Sequence, residues 1–207
     1  DPGKTSIISV LNRFYEIQNG TIAIDSVSIE DIKIESLRKN IALVQQEVFL
    51  FSDSILNNIT LFDTKITRER IILSAKEIGV HDFINSLPNG YDYVVGERGV
   101  TLSAGQRQLI AFLRVYIRNP KILILDEATS SIDTATEELL QNALNKLSKN
   151  RTTIVIAHRL STIVSADKIL HLKDGRVLEE GTHQQLIENS GAYADMYLLQ
   201  SNENLSS

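Results

Sequence analysis

Ile122-Leu123-Ile124-Leu125-Asp126-Glu127 is the stretch that decides the fold. An apolar run ending in adjacent acids has the form of a buried parallel strand that delivers two carboxylates to the carboxyl edge of a sheet, where α/β proteins bind ligands. Upstream lies Leu102-Ser103-Ala104-Gly105-Gln106. Ser103 is a good helix N-cap and Gly105 permits close backbone approach, so a helix over 103–117 would aim its first N–H groups at an anion. Downstream, the pattern predicts a helix at Thr134–Leu147, a strand at 153–157, strands near 168–172 and 176–179, and a last helix at 192–199. Strands alternating with helices argue for a layered, largely parallel sheet.

Towards the N-terminus, Gly3-Lys4-Thr5 precedes a segment in which Ile7, Ile8, Leu11 and Phe14 share one helical face. The alternating stretch 21–25 reads as a strand, and Ile41–Val44 as a more buried one. Between about 52 and 118 the pattern changes to successive helices, at 67–78, 80–87 and 103–117. The expected organisation is an α/β core at 1–50 and 119–207 with a helical subdomain at 51–118 inserted in it. The polar stretch 201–207 is expected to be a disordered tail.

Composition narrows the classes. The 207 residues are 43% hydrophobic and 23% charged, which suits a globular domain with a substantial core. A formal net charge of −5 argues against a broad basic surface for a polyanion, so nucleic acid is not an expected partner and any phosphate contact must be local. With no cysteine, disulfides, thiolate metal sites and a cysteine nucleophile are excluded. The longest apolar runs fall far short of the ~20 residues that cross a bilayer. A chain that opens inside a motif, without Met, reads as a piece of a longer protein.

Gly3-Lys4-Thr5 matches the end of the phosphate-loop pattern G-x-x-x-x-G-K-[ST]. In that pattern backbone N–H groups cradle phosphates, the lysine neutralises β/γ oxygens and the hydroxyl holds Mg²⁺. Gly3, Lys4, Thr5 and Ser6 are therefore phosphate-binding candidates, with Thr5 also a metal candidate. The pattern's first glycine would precede residue 1, Pro2 has no N–H to donate, and Asp1 would bring a carboxylate near phosphate oxygens. Half of the cradle is thus expected to be missing. Asp126 is the candidate for holding Mg²⁺, and Glu127 for polarising an attacking water.

Taken in order, the phosphate loop, Gln46, Leu102–Gln106, Asp126-Glu127, Ser131-Ile132-Asp133 and His158 resemble the nucleotide-binding domain of an ATP-binding cassette transporter across nearly the whole length. The resemblance implies a P-loop NTPase fold, with ATP and Mg²⁺ as cofactors. It implies that Gln46 ligates Mg²⁺ and senses the γ-phosphate. Ser103, Ala104, Gly105 and Gln106 would form the signature that meets the nucleotide of an opposite subunit, and Asp133 would link the two sites across the dimer. Glu127 would be the catalytic base and His158 the switch residue on the γ-phosphate.

Val95-Gly96-Glu97-Arg98-Gly99 is similar to the segment by which exporter-type domains touch transmembrane loops, and Phe49-Leu50-Phe51-Ser52 resembles the groove in which a coupling helix rests. Some positions depart from the usual form. Ala104 replaces a glycine, and Leu109 and Phe112 replace polar or smaller residues. The expected partners are a second ATPase domain, in a homo- or heterodimer, and a transmembrane domain fused upstream. The expected location is the cytoplasmic face of a membrane. Two rivals are a soluble cassette ATPase of translation or DNA repair, and a non-catalytic remnant that still pairs.

Overall fold

The computed structural model describes residues 2–99, 101–126, 132–157 and 160–205. In chain order the elements begin with α1 (Pro2–Leu11), the short strands β1 (Ala23–Ile24) and β2 (Val27–Ser28), α2 (Ile34–Asn40) and β3 (Ile41–Val44). Three short to medium helices follow, α3 (Ile55–Thr60), α4 (Arg68–Ile78) and α5 (His81–Ser86), and then the long α6 (Ala104–Arg118). The last part comprises β4 (Ile122–Asp126), α7 (Thr134–Leu147), β5 (Thr152–Ile156), α8 (Leu160–Val164), β6 (Ile169–Lys173), β7 (Arg176–Gly181), α9 (His183–Glu188) and α10 (Ala192–Leu205).

Two compact units can be distinguished, one made of Lys33–Ile154 and one of Asp1–Ile32 with Val155–Ser207. In the first, the central sheet has the order β3-β4-β5. β3 and β4 are parallel, with Ile41 opposite Ile122 and Val44 opposite Leu125. Leu123 and Ile124 are fully buried, as a strand covered on both faces requires. The helices α3, α4 and α6 bury Ile55, Ile59, Ile71, Ile78, Leu109, Ile110 and Leu113. The expected helical segment 51–118 and the strand β4 belong to this one compact unit.

Local signals set the helix ends. Thr67 caps α4 by accepting from the Arg70 N–H, and Gly79 ends it at φ 85°, a left-handed conformation in which glycine carries no Cβ strain. Asn119 ends α6 in the left-handed region, and Pro120 follows. Leu109 and Phe112, the unusual residues of the signature helix, are buried at 1% and 2% exposure, so their bulk fills the core rather than the site.

The second unit holds two antiparallel hairpins. The expected strand over 21–25 stops at Ile24, because Asp25 and Ser26 both take positive φ (49° and 67°) and turn the chain so that Ile24 pairs with Val27. Positive φ at both central residues is the tight turn whose twist matches paired strands. Asp174-Gly175 does the same between β6 and β7, with Lys173 opposite Arg176. The last two strands are therefore antiparallel. α10 continues through Leu205, past the expected end at 199 and into the stretch expected to be a disordered tail.

Candidate nucleotide-binding site

The parallel register of β3 and β4 makes both strands leave the sheet at the same edge. Asp126 closes β4 and is half-buried, while Gln46 follows the end of the neighbouring strand and is exposed. A carboxylate and an amide oxygen thus start from adjacent strand ends. Both are hard oxygen donors, which suit Mg²⁺; that ion commonly takes one or two protein carboxylates and completes its shell with water and phosphate oxygens. Among the described residues no three His, Asp or Glu side chains gather into a metal cage. Glu127, Ser131 and His158 lie outside the described residues.

The start of α6 is built by a reciprocal capping box. Ser103 Oγ accepts from the Gln106 N–H at 3.1 Å, and Gln106 Oε1 accepts from the Ser103 N–H at 2.9 Å. The first N–H groups of a helix have no intrahelical acceptor. The box takes those of Ser103 and Gln106 and leaves those of Ala104 and Gly105 outside it. The Ser103 O–H proton is also unused by the box, and Ser103 is exposed. Two backbone donors, a hydroxyl donor and the positive end of a helix dipole therefore lie together, as anion binding requires.

Gly105 is buried against α7. A Cβ placed on it would lie 2.6 Å from Thr136 Cγ2 and 3.0 Å from Ile132 Cγ2, so the first turns of α6 and α7 touch where only a hydrogen fits. Asp133 is the exposed N-cap of α7, and its Oδ1 accepts from the Thr136 N–H at 2.9 Å. That bond, reinforced by Thr136's side chain, holds the Asp133 carboxyl below its ordinary range. Ser103 and Asp133 thus cap two helices whose first turns are in direct contact.

In the other unit, Gly3, Lys4, Thr5 and Ser6 occupy the beginning of α1 by their backbone, with Pro2 at its first position, where a missing N–H costs nothing. The side chains of Lys4 and Thr5 lie outside the described part. Ser6 is exposed.

Sequence reasoning did not single out Asn58, Arg107 or Arg114, yet they hold the segments beside the site. Asn58 is fully buried. Its Oδ1 accepts from the Phe51 N–H at 2.8 Å, and its Nδ2 donates to the carbonyls of Phe51, Asp53 and Ser54. Arg114 donates to the backbone and side-chain oxygens of Asn58 and to the Phe49 carbonyl. Leu50 is thereby sunk into the core, while Phe49 and Phe51 face outwards.

Arg107 donates to the carbonyls of Leu102 and Gly99. Those bonds join α6 to the 95–99 turn, whose Val95 is buried and donates its N–H to the Asp53 carbonyl. Both arginines lie on the helix that the signature opens; Arg107 reaches back only to Leu102 and Gly99, whereas the partners of Arg114 lie 56 and 65 residues away. That separation is why no local pattern announces Arg114.

A groove of about 680 Å³ opens beside this latch, along β3 and the side of α6, and Phe49 and Phe51 stand on its rim. Among the described residues no helix is long and apolar enough to cross a membrane.

The parallel edge, the boxed helix start and the ordered motifs define a P-loop NTPase of the cassette type. The ABC transporter family profile matches residues 2–130, and the chain belongs to that family. Multidrug export ATP-binding/permease proteins of Staphylococcus aureus strains NCTC 8325 and COL are 49% identical over 198 residues, covering 96% of this chain and 34% of each relative. The solved structure of a bacterial Atm1-family ABC exporter with ATP bound superposes with a TM-score of 0.87 at 42% identity, covering 96% of this chain and 35% of that one. The chain spans about a third of the length of the relatives it matches.

Proposed function

We propose that this chain binds ATP with Mg²⁺ and hydrolyses it as the motor of an exporter, in a head-to-tail pair with a second ATPase domain. The observation that carries the reading is the boxed start of α6. Its N–H groups at Ala104 and Gly105, which lie outside the capping box, and the hydroxyl of the exposed Ser103 form a donor cluster suited to phosphate held by another subunit. Bound ATP and Mg²⁺ would supply the phosphoryl group and the charge that polarises it.

The chain's own residues then divide the work. Gly3, Lys4, Thr5 and Ser6 take the phosphates, and Thr5, Gln46 and Asp126 hold the metal. Glu127 accepts the proton of the attacking water, and His158 contacts the terminal phosphate. Ser103 to Gln106 complete the partner's site, and Asp133 reports across the interface. Each nucleotide then makes its full set of contacts only in the closed pair, so binding favours closure and hydrolysis releases it.

The same reading makes 51–118 a helical subdomain inserted in the α/β core. It seats a coupling helix of the membrane part in the groove beside Phe49 and Phe51, and places the 95–99 turn on neighbouring transmembrane loops. The assembled protein then works at the cytoplasmic face of a membrane. The relatives favour this over a soluble cassette ATPase, since they are exporters two-thirds of whose length lies outside the match.

The test is Glu127→Gln in the full-length protein. ATP affinity is expected to stay near that of the native protein, while turnover falls by about 10²-fold or more, the scale of a lost general base. Native-like hydrolysis by that variant would remove Glu127 from the role of base.

A further inference from the structure

Asn-Gly occurs twice in the chain, at Asn19-Gly20 and Asn89-Gly90. A glycine after asparagine leaves its backbone nitrogen unscreened by a Cβ, so that nitrogen can reach the asparagine side-chain carbonyl wherever the backbone is free to turn. The two pairs share this chemistry and differ in how the fold holds them.

Asn89-Gly90 is locked. The Gly90 N–H donates to the Leu87 carbonyl at 2.8 Å, and the carbonyls of Asn89 and Gly90 accept from the N–H groups of Asp92 and Tyr93, each at 3.1 Å. Tyr91, next in sequence, is buried, and its hydroxyl bonds to His81 Nδ1 at 2.9 Å. The nitrogen that would attack is therefore engaged, and the turn that carries it is pinned.

Asn19-Gly20 has no such ties. Both residues are exposed in the connection between α1 and β1. Among the described residues no hydrogen bond holds the Gly20 N–H or the Asn19 side chain. A Cβ built on Gly20, at φ 89°, would meet nothing within 4 Å, so the backbone has room to turn. The ends of the connection are held independently of it. Arg13, just past α1, donates to the Ile29 and Ile32 carbonyls beyond β2 at 2.9 and 2.8 Å.

We propose that Asn19 is a self-modification site, converted by ring closure with Gly20 to a mixture of aspartate and isoaspartate. The Gly20 nitrogen gives up its proton and bonds to Asn19 Cγ, and the side-chain nitrogen departs as ammonia. Water then opens the cyclic imide at either carbonyl, which leaves one carbonyl as the peptide link and the other as a free carboxylate. The product adds one negative charge to a chain whose formal net charge is −5. Where the link runs through the side chain, the backbone gains a methylene just before β1.

The folded chain would be incubated at mildly alkaline pH beside a sample unfolded in urea, and both digested with trypsin at intervals. Residues 14–33 form one tryptic peptide in which Asn19 is the only asparagine. In the folded chain, mass spectrometry should show Asn19 exchanging amide for acid about five- to tenfold faster than Asn89, the scale of one hydrogen bond at the Gly90 nitrogen. In urea the two should convert at matching rates. Labelled methyl transfer by an isoaspartyl carboxyl methyltransferase should mark the 14–33 peptide, and Asn19→Gln should remove that mark. An Asn19 that stays intact in the folded chain, or converts there no faster than Asn89, overturns the proposal. Conversion to aspartate alone overturns ring closure through Gly20.

Discussion

Replacing Asn58 by Ala isolates the latch between the Phe49–Phe51 loop and α6, and the cost can be worked bond by bond. The side chain has five polar contacts: the two Nδ2 hydrogens are shared among three carbonyls, and Oδ1 accepts two hydrogen bonds. The three carbonyls it serves all keep another partner. Phe51 O still accepts from the Asp53 N–H, Asp53 O from the Val95 N–H, and Ser54 O from the backbone N–H of residue 58. On the acceptor side there is no such reserve for the Phe51 N–H, whereas Arg114 keeps the Phe49 and Asn58 carbonyls.

The loss is therefore dominated by one orphaned backbone donor and one weakened charged donor, each worth about 1–3 kcal/mol. The expected total is about 3 kcal/mol, read as a lower urea midpoint with unchanged slope for the unit containing residues 33–154. Hydrogen exchange at the Phe51 amide should accelerate by the equivalent of that loss, because its protecting acceptor is gone. A midpoint change worth less than about 1 kcal/mol, with Phe51 still protected, would refute the assignment of Asn58 as the central member of the latch.

Ser103→Ala removes the capping acceptor of α6 and should lower the stability of that unit by about 1 kcal/mol in thermal unfolding, with Ser103→Gly costing less. Gly105→Ala forces a Cβ to 2.6 Å from Thr136 and should cost about 1–3 kcal/mol by overpacking. Thr136→Ser removes the struck methyl, so a double-mutant cycle in urea should show recovery. The Glu179 carboxyl is held below its ordinary range by bonds from His171 and from the Tyr193 N–H. A depressed folded pKa contributes stability that is complete above the unfolded value, about 4.3, and is lost as pH falls through the folded value. Protection of the Tyr193 amide should therefore drop on acidification below about pH 4, and Glu179→Gln should abolish that pH dependence.

Where chemistry punctuates the chain, the fold is legible from sequence. Ile41–Val44, Ile122–Asp126 and Thr134–Leu147 take the expected boundaries because an apolar run or a capping Asp133 marks them. The strand expected at 21–25 fails at Asp25-Ser26, whose left-handed pair lacks the glycine that usually signals such a turn. α10 overruns its expected end because its last residues are polar, and a pattern built on apolar periodicity stops counting there.

The site divides similarly. Ser103 reads as a cap from its own neighbours. Asn58 and Arg114 lie 56 residues apart and meet only through the tertiary fold. Gly105 is legible as a close approach, but Thr136 as the group approached is not.

One consequence concerns the mechanics of α6. Its 15 residues form a rod about 22 Å long at 1.5 Å per residue. Arg114, towards one end, is bolted to the backbone of the aromatic loop, and Gly105, at the other, is wedged against α7 with no clearance for a methyl group. A rod fixed at both ends cannot absorb a tilt locally. A push received at Phe49 would be delivered to the caps at Ser103 and Asp133 together, which makes α6 a lever arm and the Gly105 contact its bearing.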